Sequence, residues 1–454
     1  MDTIPGNLNL RGVWMERISR IIRRTFFITA LTAAVICSFL SITLPVHGEQ
    51  YQHAIVTTKD TGGLGGSYSW IQERKSGGSR LNEHNMTLTI SDIRAASHYE
   101  YYFIMEGQGL NRVTCYDIQS LDNQVWQYAA YESDETGDTL PWDMITISER
   151  KAYLLRYGSN VAWIVNPLAE NEAEFKTGEL DFSVYDDGDG SPEMCCGVLV
   201  NGKAFIALRR VNSDGIPQTA YLAVIDTATD LPVDTEQDDA GLYGIPLSVK
   251  YPVSIQYLAE TGAIYVLGSG TLLPQPDYTG GIEQIALDSY DTAIVLDDGD
   301  ADLHPYGYFT AMALISATDG FFIGAASESD QTLYHFDPAA GAADAVVLNA
   351  SSQNYMQNKQ FAGLGGGTGL DKHDRLWISN VTNQEVNILI TVPNQGLYSG
   401  DGSIAIPDDN DSRSMRPAQI VFCEEPEVTE EDEAEKPSSS GESGNFCFIG
   451  AVMP

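Results

Sequence analysis

Basic residues are scarce in this chain. Lysine and arginine together number 25 against 63 aspartates and glutamates, a formal net charge of −38 over 454 residues. Such a field repels nucleic-acid phosphates and anionic lipid headgroups, so nucleic acid is excluded as a partner. The same field favours cations, cationic partners and a well-solvated surface. Cysteine is scarce too: the chain has 6, too few for a disulfide scaffold at this length. Between about residue 50 and residue 422 no segment sustains a helical period, which argues against a helical architecture. Several chemistry-bearing motifs are also missing. There is no Cys-x-x-Cys or His-x-x-x-His spacing, and His53, His84, His98, His304, His335 and His373 are scattered, so a zinc site has no support. Gly-x-Ser-x-Gly does not occur, and the glycine-rich run Gly363–Gly369 lacks the Lys-Ser/Thr of a phosphate-binding loop.

The N-terminus carries a targeting segment. Arg17, Arg20, Arg23 and Arg24 precede an apolar run from Phe26 to Leu44, and Val46 and Gly48 suit the small-residue rule for cleavage. Residues 1–48 therefore read as a signal peptide, with an uncleaved membrane anchor as the alternative because the apolar run is long. Either way the arginines place the rest of the chain outside the cytoplasm: periplasm, outer surface or extracellular medium. Contact with a membrane is expected only through this segment, if it stays uncleaved. Removing it leaves Cys115, Cys195, Cys196, Cys423 and Cys447, an odd number that leaves at least one thiol free or shared between chains. Cys195 and Cys196 are adjacent. They read as strand residues pointing to opposite faces, with a vicinal disulfide as the alternative.

From about residue 50 to 422 short apolar runs rich in Tyr, Val, Ile and Trp alternate with Gly, Asp, Asn and Pro, the signature of strands and turns. The runs recur in pairs: Tyr101–Ile104 with Val113–Asp117, Ala152–Leu155 with Ala162–Pro167, Ala204–Ala207 with Tyr221–Asp226. Further pairs are Ala263–Val266 with Gly281–Ile285, Phe321–Gly324 with Leu333–Pro338, and Leu376–Ser379 with Val386–Ile390. With a first copy near His53–Gln72, about seven units of roughly 50–60 residues result, somewhat long for four-stranded propeller blades. The expected fold class is all-β, a single β-propeller of about seven four-stranded blades over residues 49–422, because radial repetition leaves few exposed edges. Ala418–Phe422 reads as the strand that closes the ring against the first blade. Residues 423–445 form an acidic, Ser/Gly-rich linker, with eight acids and one lysine in Glu424–Lys436, expected to be disordered. Residues 446–454 form a short apolar tail containing Cys447.

Three of these repeats carry a resemblance. Lys151–Asn160 with its strand ending at Asn166-Pro167, Tyr221–Asp230 and Tyr334–Gly341 resemble the YVTN-repeat (YncE-like) family of exported bacterial β-propellers. The likeness covers roughly residues 50–422 and implies the propeller fold. It implies little about function, since one fold hosts many.

Two acidic segments have the composition of hard-cation sites. Asp187, Asp189 and Glu193 place oxygens at alternating positions of a Gly-bearing turn, and Asp298, Asp300 and Asp302 with His304 do the same; Ca²⁺ takes six to eight such oxygens. Asp408, Asp409 and Asp411 form a third, weaker set. Plain Asp/Gly turns explain the same residues without an ion. Trp70, Trp126, Trp142, Tyr243, Tyr306 and Tyr308 could anchor a protein or carbohydrate ligand, or equally fill the core. No catalytic constellation is legible. The functional expectation is a monomeric exported binding or scaffold module, stabilised by Ca²⁺ and without another cofactor. The alternative is a metal-dependent propeller lactonase, which would need carboxylate or His ligands converging on the axis from several blades.

Overall fold

The computed structural model describes residues 51–423, apart from 61–64, 75–80, 85–88, 90–92, 119–122, 239–240, 272–275, 328–329, 341–345, 348–367, 371–374, 381–383, 393–396 and 407–414. The leader at 1–48, the linker and tail beyond Cys423, His373, most of Gly363–Gly369 and the acids at 408–411 therefore lie outside the described residues.

The chain folds as a seven-bladed β-propeller. Blade 2 is Ile93–His98, Tyr101–Glu106, Arg112–Asp117 and Gln124–Ala129, each strand antiparallel to the next. Blade 3 repeats the meander over Pro141–Asp181, blade 5 over Pro252–Asp297, blade 6 over Tyr308–Val347 and blade 7 over Thr368–Ala405. In blade 4 the outer edge is split. Leu231–Pro232 and Ile245–Pro246 both pair with Tyr221–Asp226, and the chain between them makes an excursion. Blade 1 takes Tyr51–Asp60, Gly66–Arg74 and Leu81–His84 from the N-terminal end. Its innermost strand is Met415–Cys423 from the other end, antiparallel to Tyr51–Asp60 with Val56 opposite Ile420. The ring is thus closed by hydrogen bonds between strands more than 300 residues apart, as the isolated late strand in the sequence predicts. The innermost strands pack one against the next around the whole circle.

Period-2 alternation assigns each face of a blade to a different neighbour. Tyr102 and Ile104 join Ile55, Tyr68 and Trp70 of blade 1, whereas Phe103 and Met105 join Ala152, Leu154 and Trp163 of blade 3. Tyr153 and Leu155 then face Ala204, Ile206 and Leu208 of blade 4. The last gap packs Ala54, Val56 and Ile71 of blade 1 against Trp377, Val386 and Ile388 of blade 7. Middle strands are buried on both faces and so read as continuous apolar runs, which is why they stand out in the sequence. Each fully buried Leu, Ile or Phe contributes roughly 1.5–3 kcal/mol.

The polar residues ending these runs are turn acceptors. Asp226 Oδ1 accepts from the N–H groups of Ala228 and Thr229 and from Thr229 Oγ1. Asp337 Oδ1 accepts from Ala339 and Ala340, and Asn166 Oδ1 from Leu168. A short carboxylate or amide satisfies the N–H groups released where the ladder stops, so Asp or Asn recurs at that position.

Candidate functional site in the axial pocket

Four consecutive innermost strands carry a β-bulge near their start. The register slips between Pro141 and Asp143, Met194 and Cys196, Pro252 and Ser254, and Phe309 and Ala311. A bulge adds a residue on one strand and re-aims its side chain. Three of the extra residues, Trp142, Cys195 and Val253, line a cavity of about 260 Å³ where the inner strands of blades 1 to 5 meet. Its other walls are Arg94, Asp143, Cys196, Gly197, Arg209, Ser254, Ile255, Gln419 and Ile420. A second hollow of about 190 Å³ shares Arg94 and Trp142 and extends to Asp138.

The pocket holds two cations against one carboxylate. The Arg94 guanidinium lies 4.0 Å from the centroid of the Trp142 ring, and that of Arg209 lies 5.8 Å from the same ring. Arg209 also stacks at 4.3 Å on Tyr251 and 5.3 Å on Tyr157. Its Nε donates to Pro252 O at 2.9 Å and Nη1 to the Tyr251 hydroxyl at 3.2 Å. A guanidinium so held is oriented before any ligand arrives, and aromatic faces stabilise it in a partly dry site. Asp143 accepts from its own strand at Met144 N–H and from Gly197 N–H of blade 4 at 3.1 Å. Burial pushes its carboxyl up to about 6; the two N–H donors and Arg94 oppose the shift. Gly197 permits the approach: a Cβ there would come 2.2 Å from Ile145 Cδ1.

Side-chain amides lock neighbouring inner strands at other points of the ring. Gln419 accepts from Ala95 N–H and donates to Ala95 O; Gln256 accepts from Leu314 N–H and donates to Met312 O. Gln419, itself part of the pocket wall, thus ties the inner strand of blade 1 to that of blade 2.

The acidic segments named from the sequence lie elsewhere. Carboxylate oxygens of Asp186, Asp187 and Asp189 come within 4.8 Å of one another. Both oxygens of Asp187 are shielded from solvent and have no partner in the protein. Asp186, which the alternating spacing passes over, accepts from Gly188 and Gly190 N–H, and Asp189 from Ser191 N–H. Glu193 does not join them: it is buried, accepting from Ser191 Oγ and Val211 N–H, and burial pushes its carboxyl up to about 7. The second set is dispersed. Asp298 is fully buried, with Oδ2 accepting from Gly280 N–H, while Asp300 and Asp302 are exposed. Asp300 Oδ1 caps the N–H groups of Asp302 and Leu303, and His304 stacks on Tyr278 at 4.0 Å. The i, i+2 spacing in this segment builds a turn and does not gather carboxylates. Of the candidate aromatic anchors, Trp70, Trp126 and Tyr308 are core, Tyr243 is exposed and Trp142 lines the axial pocket. Among the described residues no three carboxylates or imidazoles from different blades converge.

The sequence matches no protein-family profile and no curated protein. The fold is similar to solved structures. One, from Bacteroides uniformis, carries the provisional name 6-phosphogluconolactonase; it is 10% identical, with 82% of this chain covering 99% of that one at a TM-score of 0.55. Another, a protein from Lactobacillus plantarum, is 11% identical, with 83% of this chain covering 100% of that one at a TM-score of 0.53. At such identities the likeness establishes the propeller fold alone.

Proposed function

We propose that the chain is an exported binding protein of the YVTN-repeat type whose axial pocket takes a small organic anion. The observation that carries this reading is a local reversal of charge. In a chain with 63 acids and 25 bases, the pocket gathers Arg94 and Arg209 around Trp142 with Asp143 as its one carboxylate. Oriented guanidinium groups in a low-dielectric recess recognise carboxylate or phosphate by charge-assisted hydrogen bonds, and aromatic walls suit an organic frame. The acidic exterior then serves solubility outside the cell and disfavours weak, non-specific capture of anions. Export rests on the leader, and residues beyond the propeller would tether or release the protein. We further propose that Asp186, Asp187 and Asp189 hold Ca²⁺, which would satisfy the buried oxygens of Asp187 and stiffen the turn before blade 4.

Calorimetric titration of the purified chain with citrate and with 6-phosphogluconate tests the anion reading. Saturable binding that weakens about tenfold or more in Arg94→Ala supports it, by the energy of a charge-assisted hydrogen bond. Failure of a broad panel of organic anions to bind or to raise the melting temperature overturns it. Turnover of 6-phosphogluconolactone that a chelator abolishes would put a metal-dependent lactonase in its place.

A further inference from the structure

The two adjacent cysteines do not alternate. Strand geometry predicts opposite faces, but the bulge between Met194 and Cys196 leaves Cys195 without a register partner and turns its side chain. Cys195 Sγ and Cys196 Sγ stand 3.5 Å apart on the wall of the axial pocket. Among the described residues the four cysteines are free thiols, Cys115 and Cys423 are buried elsewhere in the blades, and only the adjacent pair shares a cavity.

We infer that Cys195 and Cys196 form a peroxide-reactive dithiol that closes reversibly to a vicinal disulfide inside the pocket. Three observations assign it. The sulfurs are already in contact, so closure needs a movement of only about 1.5 Å to reach a bond of about 2.05 Å. The Cys195 thiol donates to Pro252 O at 3.2 Å, the carbonyl that also receives Arg209 Nε, and the Arg209 guanidinium interacts with this sulfur. The cavity admits a small oxidant to a side chain that is only 5% exposed. Although burial disfavours the Cys195 thiolate, the hydrogen bond from Cys196 and the Arg209 charge favour it, with a net lowering; the same pairing holds the Cys196 proton.

The chemistry balances with hydrogen peroxide as oxidant. The Cys195 thiolate attacks one peroxide oxygen, the O–O bond breaks, and hydroxide leaves and takes a proton to become water. Cys195 is then a sulfenic acid. Cys196 gives up its proton and its sulfur attacks Cys195 Sγ, displacing hydroxide that leaves as a second water. Two thiols are oxidised, one peroxide is reduced, and one S–S bond forms. Neighbouring Cα atoms are about 3.8 Å apart, closer than the usual disulfide span. The bond is therefore readily reduced and the change reversible. The pair can close whichever ligand the pocket takes.

The test treats the full chain with hydrogen peroxide, denatures it in an alkylating agent and maps the cysteines by mass. The expected product is the peptide holding Cys195 and Cys196 lighter by two hydrogens, unalkylated until a reductant is added. In Cys196→Ser the second step is blocked, so dimedone should trap sulfenic acid on Cys195, about tenfold more than on Cys196 in Cys195→Ser. The variants carry a near-isosteric side chain, and retention of the parent melting temperature controls for folding. Both cysteines remaining fully alkylatable, cross-linking to another chain, or equal trapping in the two variants would overturn the inference.

Discussion

The carboxylate of Asp143 on the innermost strand of blade 3 accepts a hydrogen bond from the backbone N–H of Gly197 on the innermost strand of blade 4. One group therefore joins two blades and sets the charge of the pocket. Its carboxyl titrates near 6 because burial disfavours the anion.

Ligand binding should therefore depend on pH. Above about pH 6 Asp143 is negative and offsets one of the two arginines; below it the carboxyl is neutral and both arginines stand uncompensated. Relative to Asp143→Asn, the parent's affinity for citrate or 6-phosphogluconate should rise by about tenfold as pH falls through 6, the effect of one interacting charge in a partly dry site. Asp143→Asn should bind more tightly than the parent above pH 6, match it below, and keep only the slope of the ligand's own ionisation. Titrations at pH 5, 6, 7 and 8 with buffer-matched controls measure it, and a parallel slope in the variant would remove Asp143 from the account.

Packing between blades gives a second expectation. Phe322 is fully buried, its ring 4.5 Å from Phe309 and stacked at 5.0 Å on Tyr334, in the gap between blades 5 and 6. Phe322→Ala should cost roughly 3–5 kcal/mol, the usual range for a buried phenylalanine. Leu303→Ser, at a side chain 70% exposed, should change stability little. Denaturant unfolding of both variants decides it.

The legibility of this chain divides along the blade radius. Middle strands such as Tyr101–Glu106 and Tyr221–Asp226 are buried on both faces, so paired apolar runs, the second of each pair ending at or near Asp or Asn in most blades, expose the repeat and the number of blades. The innermost strands are hidden by their bulges. At Trp142, Cys195, Val253 and Thr310 the extra residue breaks the period of two on which strand reading depends. Arg94, Asp143 and Arg209 come together only through blade geometry, and their separation in sequence carries no spacing signal. The acidic turns are visible because Asp and Gly cluster locally. Composition does not distinguish an acid that faces its neighbours, as Asp187 does, from one that is buried alone, as Glu193 and Asp298 are.

Calcium should act on the loop before blade 4. If Asp186, Asp187 and Asp189 bind the ion, it stabilises the folded state by mass action, about 2.7 kcal/mol at a hundredfold excess over the dissociation constant. Adding Ca²⁺ to chelated protein should raise the melting temperature by several degrees, and Asp187→Asn should abolish that rise. Mg²⁺, which keeps its waters and demands octahedral geometry, should substitute poorly. An equal Ca²⁺ response in parent and variant would leave the three acids as surface.

Asp298 carries the clearest link between pH and stability. It is fully buried, its Oδ2 accepts from Gly280 N–H, and its Oδ1 has no partner in the protein. Burial, with Asp297 and Asp277 nearby, pushes its carboxyl from 3.8 up to about 7. The folded state therefore keeps a proton that the unfolded chain has already released. Its stabilising contribution is complete below about pH 4 and is lost as pH rises through 7. Asp298→Asn stays neutral and should lack that fall, so the variant should gain on the parent by roughly 2–4 kcal/mol between pH 4 and 8, the size of a shift of about three units. Urea midpoints across this range, in chelator so that no metal contributes, give the difference directly. A parent and variant that decline in parallel would mean that the Asp298 carboxylate is charged in the fold and satisfied there.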